Sequence, residues 1–283
     1  MNKPYNKNKK FELKGPYKGK KKFEHKGPRK KKALGQHFLR SRKIVDDILD
    51  GVDDGEKNNV LEIGCGDGFL TQAILDCAYC EKLVVYEVDQ EWVKVVQDKI
   101  DDQRLELHCI DALKADWSAL KTDKPWVMIA NLPYQITFPL LSKIAENREL
   151  FREGVIMIQE EVAQKLVATS GRGRGVLSCV FQRNFDMKLL SKVPPEAFSP
   201  PPKVFSRLLH FRPRANPEEI PDEEKFWPFL KICFRFPRQK LKNNFNGSNY
   251  KLSDELFREF GDLRAQQLTF QELVNFWVRV KAQ

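Results

Sequence analysis

The stretch Val60-Leu61-Glu62-Ile63-Gly64-Cys65-Gly66-Asp67-Gly68 constrains this chain more than any other. Four residues of mostly apolar character read as a short buried strand. Three glycines within five residues then force a turn. Behind them Phe69, Leu70, Ala73, Ile74 and Leu75 fall at helical spacing. A strand that ends in glycines and opens a helix lets the backbone approach a ligand and aims helix N–H groups at it. Only a sheet with helices on its faces presents such a turn at an accessible edge.

The same alternation runs on either side. Ile44, Val45, Ile48, Leu49 and Val52 predict a helix that ends near Gly51–Gly55. Strands follow at Leu83-Val84-Val85-Tyr86, Leu105-Glu106-Leu107-His108-Cys109 and Trp126-Val127-Met128-Ile129-Ala130, with a helix through Trp92, Val93, Val95, Val96 and Ile100. Further strands are expected at Gly154–Ile158, Leu177–Phe181, Met187–Leu190 and Phe205–Phe211. This order predicts an α/β fold, Rossmann-like, with a mostly parallel sheet covered on both faces. Pro213, Pro217 and Pro221 make Arg212–Pro221 a linker. Helices are then expected at Phe226–Phe236, Ser253–Phe260 and Thr269–Val280. Ser253 and Thr269 are placed as N-caps, and Thr269 with Glu272 has capping-box spacing. The division is residues 1–30 as a basic tail, 31–212 as the Rossmann-like domain and 218–283 as a small helical domain.

Charge is unevenly placed. The chain of 283 residues carries a net charge of +10, yet residues 1–32 hold 14 of the 49 Lys and Arg against two acids, Glu12 and Glu24. That leaves 35 basic and 37 acidic residues beyond them, so the body is close to neutral and any nucleic-acid surface on it is a local patch. The tail repeats Phe-Glu-x-Lys-Gly-Pro at residues 11–16 and 23–28. It is expected to be disordered, because too little apolar surface offsets chain entropy. Its charge density suits a phosphate-binding arm. No apolar run approaches the ~18 residues of a membrane span, so a soluble cytoplasmic protein, acting as a monomer, is expected. Cys77 and Cys80 form a C-x-x-C, but no second pair or matching histidines follow, so no metal is expected and a helix end with two thiols is the plainer reading.

A dinucleotide turn would be G-x-G-x-x-G, which from Gly64 demands glycine at 69; that residue is Phe69. The G-x-G-x-G spacing, with no pyrophosphate to cradle, suits S-adenosylmethionine better than a nicotinamide cofactor. The second strand leads to Glu87, whose carboxylate can accept from ribose hydroxyls. The third leads to Asp111, placed to accept from the adenine amino group of the cofactor.

The fourth leads to Asn131-Leu132-Pro133-Tyr134. An exocyclic adenine amine is a poor nucleophile because its lone pair is delocalised into the ring. Two acceptors on its N–H groups favour the pyramidal geometry that can attack a methyl donor. The Asn131 side-chain oxygen and the Leu132 carbonyl are the candidates, with Pro133 stiffening the turn and Tyr134 offering a stacking face. Catalysis of this kind is orientation and electrostatics, and the target base must be unstacked to reach the site.

These residues resemble the bacterial ribosomal RNA small-subunit methyltransferase A family, relatives of the erythromycin-resistance methylases. The resemblance runs from about residue 31 to the end. Its marks are Ala33-Leu34-Gly35-Gln36-His37-Phe38-Leu39, Glu62–Thr71, Glu87, Asp111, Asn131–Tyr134 and the run Pro194-Pro195-Glu196-Ala197-Phe198-Ser199-Pro200-Pro201-Pro202-Lys203-Val204. It implies a class I S-adenosylmethionine-dependent methyltransferase fold and N6,N6-dimethylation of two adjacent adenosines near the 3′ end of 16S rRNA in the small ribosomal subunit. By motif position, His37, Leu39, Gly64, Gly66, Glu87, Asp111 and Asn131 would contact the cofactor. Position 37 is often Asn in the family, so His37 adds a titratable group. Phe198 would close the target base's face opposite Tyr134. Arg235, Arg238, Lys240 and Lys242, interleaved with Phe234, Phe236, Leu241 and Phe245, form a basic run suited to RNA, although Phe236-Pro237 departs from the family's pattern. The loop Gly171–Gly175 is either a further RNA contact or a plain connector. The competing readings are a non-catalytic RNA-binding assembly factor, a 23S rRNA methylase of the resistance type, and a nicotinamide oxidoreductase, which Phe69 disfavours.

Overall fold

The computed structural model describes Pro28 and residues 36–281, except residue 54. The basic tail and Ala33–Gly35 lie outside the described residues, Pro28 aside. The chain runs β1 (Phe38–Leu39), α1 (Arg42–Leu49), β2 (Asn58–Ile63), α2 (Phe69–Leu75), β3 (Cys80–Glu87), α3 (Gln90–Lys99), β4 (Leu105–Cys109) and β5 (Trp126–Asn131). It continues through α4 (Thr137–Glu146), β6 (Phe151–Gln159), α5 (Glu160–Val167), α6 (Val176–Asn184), β7 (Phe185–Val193), β8 (Phe198–Ser199) and β9 (Ser206–Pro213). Four helices end it: α7 (Glu223–Cys233), α8 (Leu241–Phe245), α9 (Asp254–Phe260) and α10 (Phe270–Lys281).

Seven strands make one sheet in the order β4-β3-β2-β5-β6-β9-β7. The first five are mutually parallel, and β9 is antiparallel to both β6 and β7. Successive residues of the central strands enter opposite cores, as the pleat requires. Leu61, Met128 and Ile156 pack with Leu140, Ile144, Val162 and Phe181 of α4, α5 and α6. Val60, Val127 and Val155 pack with Ile44, Ile48, Ile74 and Val96 of α1, α2 and α3. A separate pair, β1 and β8, holds Leu39 opposite Phe198.

Leu177–Phe181 is not a strand but the middle of α6. Its apolar residues fail to show helical spacing because the helix is buried on two sides. Phe181 faces the sheet core, whereas Cys179 belongs to the core of the C-terminal helices, with Phe226, Phe229 and Trp277. The C-terminal helices carry the expected caps. Ser253 Oγ accepts from Leu256 N–H at 3.3 Å, and Thr269 and Glu272 exchange side-chain-to-backbone bonds of 3.2 and 2.7 Å. A loop, not a helix, follows Cys233, so the helix expected to reach Phe236 ends three residues earlier.

Gly154 on β6 lies against side chains of both neighbouring strands. A Cβ there would lie 2.4 Å from the Phe211 ring and 3.1 Å from Met128 Cβ. Gly154→Ala should therefore destabilise the protein by about 1–3 kcal/mol through overpacking. A lower urea midpoint at an unchanged slope is the expected result; an unchanged midpoint would show that Phe211 yields freely.

Candidate active site

The chain builds the sheet outward through β2, β3 and β4, then crosses back to add β5 and β6 on the other side of β2. Helices leave in opposite directions from β2 and β5, so their C-terminal tips stay uncovered, where open α/β sheets bind ligands. One cavity occupies that edge. Gly64–Asp67 line it after β2, Glu87 and Val88 at the end of β3, Ile110–Ala112 after β4 and Asn131–Ile136 from the end of β5 onward. Gln36–Leu39 close it from the side.

The glycines do distinct work. Gly64 has φ +78°, and a Cβ built on it would meet no atom within 4 Å, so its backbone borders open space. Gly66, at φ +54°, leaves room for the Phe38 ring, which a Cβ would approach to 2.6 Å. Gly66 N–H also donates to Glu87 Oε2 at 3.2 Å, while Asp89 N–H donates to Oε1 at 2.9 Å. Burial raises the Glu87 pKa, and these two donors oppose the shift.

Three residues that sequence reasoning gave no role hold this edge together. Gln36 donates to Asp89 Oδ2 at 3.0 Å. Arg40 pairs with Asp67 at 2.8 Å and lies 5.5 Å from the Phe38 ring centroid. Phe38 in turn packs 4.8 Å from Trp92. The contacts to Asp89, Asp67 and Trp92 span long sequence separations, and β1 is two residues long, so no periodicity announces them.

At the tip of β5, Asn131 Nδ2 donates to the His37 carbonyl at 3.2 Å. With its nitrogen engaged, the amide turns Oδ1 away to act as an acceptor. Leu132 N–H donates to Met157 O at 3.1 Å. The start of α4 uses the carbonyl of Pro133, which accepts from Ile136 N–H at 3.2 Å and Thr137 Oγ1 at 3.0 Å. The Tyr134 hydroxyl is bonded to Ser206 Oγ at 2.5 Å. Its ring lies 5.8 Å from that of His37 at an interplanar angle of 30°, and His37 Nδ1 donates to the Pro200 carbonyl at 2.8 Å.

The structure thus brings His37, Leu39, Gly64, Gly66, Glu87, Asp111 and Asn131–Tyr134 to one cavity. Phe198 is not among them. It is 4% exposed and packs with Leu39, Val193 and Leu208 in the sheet core, because pairing with Leu39 turns its ring inward. Its ring as packed here does not line the cavity beside Tyr134. Val88 and Ile110, 52% and 37% exposed, add two apolar side chains to the lining that the sequence did not single out. The lining holds three acids, Asp67, Glu87 and Asp111, and no lysine or arginine. Such a cavity disfavours a pyrophosphate and favours a neutral or cationic ligand.

A family model described as ribosomal RNA adenine dimethylase matches residues 27–260. The chain belongs to this family. It is an rRNA adenine dimethyltransferase, and an acidic cavity beside Asn131–Tyr134 accords with that chemistry. A ribosomal RNA small subunit methyltransferase A of Syntrophotalea carbinolica is 40% identical over 216 residues, 76% of this chain and 81% of that protein. Its namesake in Mesomycoplasma hyopneumoniae is 35% identical over 252 residues, 86% of this chain and 95% of that one. A dimethyladenosine transferase from Plasmodium falciparum superposes with a TM-score of 0.70 at 22% identity, over 87% of this chain and 98% of that one. The 23S rRNA methyltransferase ErmE gives 0.67 at 23%, over 86% and 99%. These two likenesses establish the class I methyltransferase fold.

Of the basic run, Arg235 and Arg238 are exposed, and Arg235 lies 5.2 Å from the exposed Phe236 ring. Lys240 and Lys242 both reach Asp262 at 2.8 Å. Phe234, Leu241 and Phe245 are core residues, so among the interleaved apolar residues only Phe236 faces solvent. In the Gly171–Gly175 loop, Arg174 is buried and donates to the Leu268 carbonyl and to Gln182, so it is a tie to the C-terminal helices and not an RNA contact. Cys77 and Cys80 are free thiols, Cys80 on β3 and not at the helix end. Among the described residues no cluster could hold a metal ion and no helix is long and apolar enough to cross a membrane.

Glu62, beneath the glycine turn, is fully buried; Oε2 accepts from Thr71 Oγ1 at 2.8 Å and Oε1 has no hydrogen bond. Burial lifts its pKa from 4.5 to about 8, opposed by Thr71 and aided by Glu87. The folded state holds a proton that the unfolded chain releases above 4.5, so this group's contribution to stability falls as pH rises from there to about 8. Glu62→Gln should melt above the parent at about pH 8.5, with the gap closing towards about pH 5. Parallel pH profiles for both proteins would place Glu62 in its ordinary charged state.

Proposed function

We propose that this protein transfers methyl groups from S-adenosylmethionine to N6 of two adjacent adenosines near the 3′ end of 16S rRNA, two per adenosine, within the small ribosomal subunit. The observation that carries this reading is the convergence of an oriented acceptor, Asn131 Oδ1, with an acidic cavity that lacks any phosphate-binding cation.

The lining residues fit the cofactor. Glu87 would accept from ribose hydroxyls and Asp111 from the adenine amino group, with Val88 and Ile110 against the ring faces. Gly64 leaves the backbone open to the methionine portion, while Gly66, His37 and Leu39 shape the wall beside it. Asp67, Glu87 and Asp111 favour a cation in the cavity over an anion. When bound, S-adenosylmethionine supplies an electrophilic methyl group.

Asn131 Oδ1 and the Leu132 carbonyl accept the two N–H groups of the target amine and favour its pyramidal form. The Asn131–His37 bond holds the first acceptor in place, and Pro133, at φ −60°, sets the turn that carries the second. Tyr134 stacks on the base, its ring held by Ser206. Once methylated, the nitrogen is acidic enough to lose its proton to solvent, so no strong base is needed. Arg235 and Arg238, with Lys240 and Lys242 beside Asp262, would hold the RNA backbone away from the cavity.

Incubation with labelled S-adenosylmethionine and undermethylated small subunits should place label in the 3′-end adenosines, read by mass spectrometry as dimethyladenosine. Label elsewhere, or none, overturns the reading. Asn131→Ala should lower turnover by roughly 10²–10³-fold while retaining the fold, as for loss of one oriented polar group. Unchanged turnover would remove Asn131 from the mechanism.

A further inference from the structure

The loop between α7 and α8 carries an aromatic ring that the core does not take. Phe234 and Phe245 on either side of it are buried among the C-terminal helices, whereas Phe236 is 51% exposed. Its backbone is held from beneath by Asn244, which is buried. Asn244 Oδ1 accepts from Phe236 N–H at 3.1 Å, and Nδ2 donates to the carbonyls of Cys233 at 2.8 Å and Phe236 at 3.4 Å. The Phe236 carbonyl also accepts from Gln239 N–H at 2.9 Å, which closes a turn with Pro237 at its second position, where a fixed φ is favoured. A buried amide and a proline turn thus hold a large apolar residue in water, where the gain from burying it is forgone.

Charge around the ring says what it meets. The Arg235 guanidinium lies over the Phe236 ring, 5.2 Å from its centroid. Arg238 is exposed two residues further on, and exposed Arg264 donates through Nε to the Arg238 carbonyl at 2.9 Å. Leu241 N–H donates to Leu263 O at 2.7 Å and Lys242 N–H to Gly261 O at 3.0 Å, so residues 261–264 are fastened beside the loop. Within residues 234–245 and 261–264 the one acid is Asp262, and Lys240 and Lys242 both pair with it. Arg235, Arg238 and Arg264 are left as the charge of this surface. None of these residues lines the cavity. A partner that is anionic and also offers flat apolar faces matches both the cations and the ring, and RNA with an unpaired base is such a partner.

We propose that Phe236, with Arg235 against its ring, is a stacking post for an unpaired base of ribosomal RNA, and that Arg238 and Arg264 hold the phosphates beside that base. This rests on the RNA-adenine reading of the protein and deepens it, by giving the basic loop a base contact separate from the target adenosine. Cations alone accept paired and unpaired RNA alike, because both present phosphates. A ring accepts a base only where the face of that base is free, and a duplex hides those faces. Every base has such a face, so the post needs no particular sequence. It makes the loop a reader of RNA structure rather than of charge alone.

Phe236→Ala, Phe236→Leu and Phe236→Trp in the full chain test this. Single-stranded oligouridylate is the probe, since it offers free base faces and no adenine to the cavity. The Ala and Leu variants should each bind it about ten-fold more weakly, the scale of one lost base stack, and Phe236→Trp should restore binding. The salt dependence of binding should stay that of the parent in all three, whereas Arg238→Ala should lower its slope by about one. Affinity for a double-stranded RNA of equal length should not move with Phe236. No parent binding to oligouridylate, unchanged affinity in the Ala variant, or a Leu variant equal to the parent overturns the post. An equal loss on the duplex overturns it as well, because the contact is then not to a free base face. A loss confined to small subunits, with free RNA bound as by the parent, assigns the ring to a ribosomal protein instead. These readings need neither cofactor nor turnover. A parent that labels no adenosine sinks the underlying reading, a result distinct from any of these.

Discussion

The reversal of strand order between β2 and β5 is the constraint from which the site follows. Helices that leave adjacent parallel strands toward opposite faces cannot both cover the strand ends, so a crevice is left where backbone and loop residues are reachable. Most of what lines the cavity stands at or just beyond the end of a parallel strand. The glycine turn follows β2, Glu87 closes β3, Asp111 follows β4 and Asn131 closes β5. The sheet core beneath them is buried on both faces and leaves these tips little freedom.

Much of this was legible from residue order because buried parallel strands are short, apolar and punctuated by glycine or acid. The tips of β2, β3, β4 and β5 all stood where the sequence put them. Legibility failed where a residue's environment is set by a distant partner. Leu177–Phe181 has the composition of a strand but is apolar on two sides because two cores share it. Phe198 lies in the most specific motif in the chain, and its pairing with Leu39, more than 150 residues away, decides where its ring packs. Gln36, Phe38 and Arg40 act through Asp89, Gly66 and Asp67, none of them a sequence neighbour.

Charge is divided by location in a way that the net value hides. The cavity lining holds three acids and no lysine or arginine, with Asp67 paired to Arg40 beside it, while Arg235, Arg238, Lys192 and Lys203 are exposed outside the lining. A polyanion approaching this protein meets attraction at the surface and repulsion at the reaction centre. Only the uncharged part of a nucleotide gains by entering.

The helix α6 has a consequence beyond its misleading composition. Because Phe181 and Cys179 belong to different cores, and the buried Arg174 at its leading end donates to Leu268, neither the sheet nor the C-terminal bundle can lose its packing alone. Loss of packing in either core exposes a face of α6, so the two cores are coupled through this helix. The placing of the bundle's basic loop relative to Asn131 depends on the packing of this one helix.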